Sequence, residues 1–68
     1  MKHFELRFLD SLDRIAITRP WVGQDTLAAL AEAERLSDRH TTIEVWHRAR
    51  KVALIRNRHL FLDTQGPL

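Results

Sequence analysis

Two runs of alternating side chains, joined by a short basic linker, constrain this chain more than any other feature. Thr41-Thr42-Ile43-Glu44-Val45-Trp46 is dense in β-branched and aromatic residues, and His47-Arg48-Ala49-Arg50-Lys51 carries it into Val52-Ala53-Leu54-Ile55. Such a pattern reads as a β-hairpin. Ile43 and Val45 then point to one face, and Glu44 and Trp46 to the other. In the returning strand Val52 and Leu54 oppose Ala53 and Ile55. The simplest ladder puts Val52 and Leu54 with Ile43 and Val45 in the core, which leaves Trp46, Ala53 and Ile55 on the opposite face.

The first half repeats the theme. His3-Phe4-Glu5-Leu6-Arg7-Phe8-Leu9 alternates with period two, placing Phe4, Leu6 and Phe8 on one face of a half-buried strand. Asp10-Ser11-Leu12-Asp13 supplies turn residues without glycine, which suits a connection around a type I turn better than a two-residue primed turn. Arg14-Ile15-Ala16-Ile17-Thr18 alternates again, so Ile15 and Ile17 are expected on the phenylalanine face. Pro20, which lacks the ladder donor, is expected to end that strand.

Between the hairpins lies the one helical segment. Asp25 is placed to cap it, its carboxylate accepting from amides two or three residues on. Thr26 to Ser37 is expected to be helical, with Leu27, Leu30 and Ala33 on one side, Ala29 and Leu36 near its edge, and Glu32 and Arg35 opposite. Its many alanines make a slim helix that can lie close on a sheet. The expected fold is therefore α+β, a four-stranded antiparallel sheet in the order 2-1-3-4 with one helix packed on one face (ββαββ). It occupies residues 1–55 as a single domain, and residues 56–68 form a basic and apolar tail of the kind that frays. Within that tail Leu60-Phe61-Leu62 is an apolar exception, suited to packing back on the domain or on a second chain.

A chain of 68 residues has a thin core, and domains below about 70–80 residues usually need disulfides, a metal, unusually good packing or self-association. Cysteine is absent, so self-association rises as an expectation. The sheet face away from the helix, carrying Trp46, Ala53 and Ile55 with Phe61 nearby, is the expected homodimer surface. The competing expectation is that Trp46 lies flat over the aliphatic stems of Arg7 or its neighbours within one monomer. The lack of cysteine also fits a reducing cytoplasm. Charged Glu5 and Arg7 follow directly on Met1-Lys2-His3, so no apolar leader is expected there. The longest apolar run, Leu27 to Ala31, is too short to span a bilayer.

The central stretch also shows three- and four-residue spacing, through Val45, Trp46, Ala49, Val52 and Ala53. In that register Ile43 to Lys51 resembles the recognition helix of a homeodomain, but Ala49 stands where that family reads adenine with asparagine. Only Asp38 to Thr42 lies where a whole further helix would be needed. Over a longer span, from about Phe4 to Ile55, the hairpin, the Asp-capped alanine-rich helix and the "IEVW…RKVALI" hairpin resemble short uncharacterised bacterial proteins of ββαββ type. That resemblance implies a fold and brings no activity, cofactor or catalytic residue with it.

Charge gives the one surface feature with a functional direction. The net charge is only +2, yet Val45 to Leu62 holds Arg48, Arg50, Lys51, Arg56 and Arg58 and no acid, leaving six basic residues against nine acidic ones elsewhere. A basic hairpin and tail can lie along phosphates, giving weak, sequence-indifferent nucleic-acid binding. Lys and Arg also protect sheet edges from aggregation, which accounts for the same residues without a ligand. His3, His40, His47 and His59 show no i, i+4 pair and no cysteine partner, so no metal is expected. Ser11 and Ser37 occupy positions where hydroxyls cap backbone amides. Gly23 and Gly66 are too few and too far apart for a phosphate-cradling loop. A non-enzymatic binding or oligomerisation module without a cofactor is the reading that remains, with nucleic-acid binding as its alternative.

Overall fold

The computed structural model describes residues 1–38 and 41–62. Strand β1 (Lys2–Leu9) and strand β2 (Ile15–Gly23) form the first hairpin, followed by helix α1 (Thr26–Leu36), β3 (Thr42–His47), β4 (Arg50–Arg56) and β5 (His59–Leu62). All five strands make one antiparallel sheet in the order β2-β1-β3-β4-β5. The expected four-stranded ββαββ sheet is thus corrected to five strands. The neighbour order of the first four holds, and part of the segment expected as a tail pairs instead with β4, Leu54 opposite Phe61 and Ile55 opposite Leu60. Residues 63–68 of that tail lie outside the described residues.

The fifth strand exists because the chain can reverse at Asn57-Arg58. Both residues take positive φ, 53° and 66°, as a type I′ hairpin turn requires of its two central residues. Asparagine tolerates that region and arginine does so poorly, so no glycine pair announces the turn. In the β1–β2 hairpin the Asp13 amide donates to the Asp10 carbonyl at 3.0 Å and the Asp10 amide to the Arg14 carbonyl at 2.8 Å, with Asp13 at φ 60°. That is a type I turn followed by a left-handed residue. Beyond it β2 runs on through Pro20 to Gly23, because β2 is an edge strand with one ladder, where proline is tolerated.

Two bulges decide which side chains reach the core. His47 pairs with Arg50 and Trp46 with Lys51, but the register then shifts so that Val45 pairs with Ala53 and Ile43 with Ile55. Val52 is the extra residue. One inserted residue exchanges the faces of everything beyond it, so Ala53 and Ile55 lie buried beside Val45 and Ile43, Val52 at the bulge packs half-buried against the same cluster, and Leu54 lies outside it. In the first hairpin Phe8 pairs with Ile17 but Leu9 with Ile15. Ile15 is thereby moved off the phenylalanine face, and Ile17, on that face but at the sheet edge, stays 56% exposed.

Helix α1 covers the face that carries Phe4, Leu6, Ile43, Val45, Ala53 and Ile55, and adds Ala29, Leu30 and Ala33 to one buried cluster. Asp25 caps it as expected, its carboxylate accepting from the Ala28 amide at 2.9 Å. At the other end Ser37 donates from both its hydroxyl and its amide to the Glu34 carbonyl, at 2.8 and 3.2 Å. The buried stripe runs through the alanines, which let the helix axis approach the sheet. Leu27, expected in the core, is rotated away from it and is 76% exposed.

Candidate functional site

The five basic residues of the second hairpin do not form one patch. Arg48 and Arg50 lie exposed at the β3–β4 turn, where Arg48 takes a positive φ of 61°. Lys51, next to them, sits 3.5 Å from the Glu44 carboxylate. Arg56 and Arg58 are at the opposite end of β4, about 20 Å away for a strand rising about 3.3 Å per residue, and Arg56 is held by Asp13 at 2.9 Å. Only Arg48, Arg50 and Arg58 of the five are exposed and without an acidic partner among the described residues.

The residues expected to form a self-association face are also divided. Ala53 and Ile55 are buried under the helix and are corrected from surface to core by the Val52 bulge. Trp46 stays on the uncovered face but is half-buried, since the Arg7 guanidinium lies 4.0 Å above its ring. Around it runs a charge-and-aromatic chain: Arg7 Nε donates to Glu5 at 2.6 Å, Trp46 Nε1 to Glu44 at 2.9 Å, and Lys51 closes on Glu44. Cation over ring, with the Arg7 Nε–H and the indole N–H each donating to a carboxylate, leaves Trp46 partnered within one copy of the chain. Phe61 remains 55% exposed on β5, flanked by Leu60 and Leu62 at 38% and 59%.

The histidines have separate settings. His47 stacks on Phe4 with ring centroids 4.8 Å apart and planes at 30°, while His3 and His59 lie exposed on β1 and β5. His40 falls outside the described residues. Among the described residues no group of three His, Asp or Glu is arranged to hold a metal ion, and no helix is long and apolar enough to cross a membrane.

A second candidate arises where sequence reasoning finds none. Between α1 and β2 lies a cleft of about 150 Å³, lined by Leu6, Arg19, Pro20, Trp21, Glu32, Arg35 and Leu36. Trp21 forms one wall, 6.0 Å from Phe4 between ring centroids. Its indole lies directly over Gly23, where any Cβ would collide with the ring. Arg35 forks onto Glu32 through two hydrogen bonds of 3.0 and 2.7 Å. This pairing holds the Glu32 carboxyl below its usual range, with desolvation opposing and the Arg19 charge adding a smaller pull, and it raises Arg35. The i, i+3 spacing of Glu32 and Arg35 is legible as a helix-surface pair. Nothing in the sequence spacing brings Arg19 to it.

No family model matches the chain, and no curated protein or solved structure is significantly similar to it.

Proposed function

We propose that this domain is a small non-enzymatic binding module that assembles through β5 with a second copy of itself. The observation that carries the proposal is the state of β5: a four-residue strand at the end of the sheet whose Leu60, Phe61 and Leu62 are all exposed, with no strand among the described residues pairing with its outer edge. Such an edge is a template for another strand. A two-fold axis perpendicular to the sheet sets Phe61 opposite Phe61 on the helix-free face and Leu60 of one copy opposite Leu62 of the other on the helix face. Every apolar residue of the strand then meets an apolar residue. An aromatic cross-strand pair adds about 0.2–1 kcal/mol, and each leucine or phenylalanine fully withdrawn from water about 1.5–3 kcal/mol, before the cost of association. The thin core supports the same reading, since among the described residues the largest fully buried side chains are Leu6, Ile43, Ile55 and Val45. A cytoplasmic location accompanies the proposal, fitted by the cysteine-free sequence.

Sedimentation velocity from about 1 to 100 µM, spanning the micromolar affinities usual for small interfaces, tests it. A dimer is expected, and Phe61→Lys is expected to yield a monomer whose circular dichroism is unchanged. A wild-type monomer across the whole range removes the proposal.

A second reading rests on Arg48 and Arg50, two exposed guanidinium groups without acidic partners among the described residues, at one end of the sheet. They suit weak phosphate contact. Retention on single- or double-stranded DNA or RNA that vanishes between about 50 and 200 mM salt, and is lost in Arg48→Gln/Arg50→Gln, supports this reading. Equal retention of the double variant counts against it.

A further inference from the structure

We propose that the cleft between α1 and β2 binds a small organic monocarboxylate, a flat apolar body of about benzene size bearing one carboxylate. The space is of the right order, because an apolar cavity of about 150 Å³ accommodates benzene and this cleft measures about 150 Å³. Its walls are of two kinds. Leu6, Pro20, Leu36 and the Trp21 ring supply apolar surface, and Arg19, Arg35 and Glu32 supply charge. The Trp21 wall is fixed in position by Phe4 beside it and by Gly23, whose missing Cβ leaves room for the indole.

The charge arrangement selects the sign of the ligand. Glu32 and Arg35 satisfy each other through two parallel hydrogen bonds, so that pair presents no net charge. The Arg19 side chain makes no ion pair or hydrogen bond among the described residues, and it leaves the cleft with a net charge of one positive unit. A guanidinium presents a planar fork that matches a carboxylate through two N–H donors, a geometry a single point charge lacks. The carboxylate is placed at Arg19 on the mouth of the cleft, and the apolar body against Trp21 and Leu36. A dianion is disfavoured, because the Glu32 carboxylate stands in the same cleft. β2 and β5 are opposite edges of the sheet, so this site stands or falls independently of the assembly proposed through β5.

Benzoate is the probe, added to the ¹⁵N-labelled full chain at constant ionic strength. The chain has two tryptophans, Trp21 and Trp46, whose indole N–H signals report separately on the cleft and on the opposite face. Benzoate is expected to move the Trp21 indole signal saturably in about the millimolar range typical of so small a ligand, leaving that of Trp46 in place. Arg19→Gln should weaken binding about tenfold or more, as loss of a charge-assisted bidentate contact does. Benzyl alcohol, similar in shape but uncharged, should bind weaker by a similar factor. Arg35→Gln provides an independent arm: it frees the Glu32 carboxylate to pair with Arg19 and should also abolish binding, with a dispersed spectrum confirming that the fold is intact. A linear, non-saturating shift, an equal response at Trp46, or undiminished binding in folded Arg19→Gln overturns the proposal.

Discussion

Several of the turns that shape this molecule depend on residues held where side chains are least welcome. Arg58 at φ 66° occupies a position for which glycine is the ordinary choice, and a residue with a Cβ loses roughly 1–2 kcal/mol in the left-handed region. Arg58→Gly is accordingly expected to stabilise the fold by about 1 kcal/mol, part of the gain being offset by glycine's greater freedom in the unfolded chain. The shift of the urea midpoint at unchanged slope measures it. Asp10 works through its charge instead. Its carboxylate accepts from the Arg14 amide at 3.0 Å and the Leu12 amide at 2.8 Å, and these bonds hold its pKa below the ordinary value. The sign follows directly. A depressed carboxylate contributes stability that is present above its unfolded pKa and is lost as pH falls through its folded value. Asp10→Asn keeps an oxygen that can accept from the same amides but no longer titrates. Its stability is therefore expected to fall less steeply than that of the parent on the acid side of the carboxylate range, as followed by urea unfolding in steps of pH.

Individual elements follow from local pattern, while their faces follow from features that pattern conceals. The Asp25 cap, the Thr26 start of α1, the Asp10 turn and the alternation of β1 are all legible in the sequence, because each is set by residues within a few positions of one another. The helical spacing of Val45, Ala49 and Val52 is outcompeted by strand pairing on both sides of β3 and β4. A bulge, in contrast, is a choice between two ladders that differ by one residue. Pattern alone puts Val52 in the core and Ile55 at the surface, because no side chain in that stretch reports which ladder closes. β5 escapes the pattern for a related reason, since Asn57-Arg58 lacks the glycine that ordinarily marks a primed turn. The α1–β2 cleft is hidden because Arg19 and Arg35 meet only through the tertiary packing of helix on sheet. Gly23 enters the sequence reading only as one of two glycines too far apart for a phosphate-cradling loop, although it lets the Trp21 ring lie against the backbone. Gly23→Ala should force that ring aside and cost about 1–3 kcal/mol, as overpacking does. Displacement of the Trp21 indole N–H signal, without movement of that of Trp46, would locate the effect.

At the scale of the whole molecule, β1–β2 and β3–β4–β5 are two local units that meet along the single seam between β1 and β3, where Leu6 faces Val45 and Phe8 faces Ile43. Each unit can close through short loops. The seam cannot, because helix α1 and its connections lie between the strands it joins. That feature assigns the molecule a folding order: the turns close early and locally, and the barrier is the loop-closure entropy of bringing Val45 to Leu6. Truncation at the seam and truncation at the rim should then separate in time. Val45→Ala is expected to slow refolding, with most of its loss of stability appearing in the folding rate. Leu60→Ala, on the last strand to add, should leave refolding unchanged and hasten unfolding instead. Stopped-flow chevrons of the two variants would show the division, and an unfolding-only effect of Val45→Ala would mean that the seam forms after the barrier has been crossed.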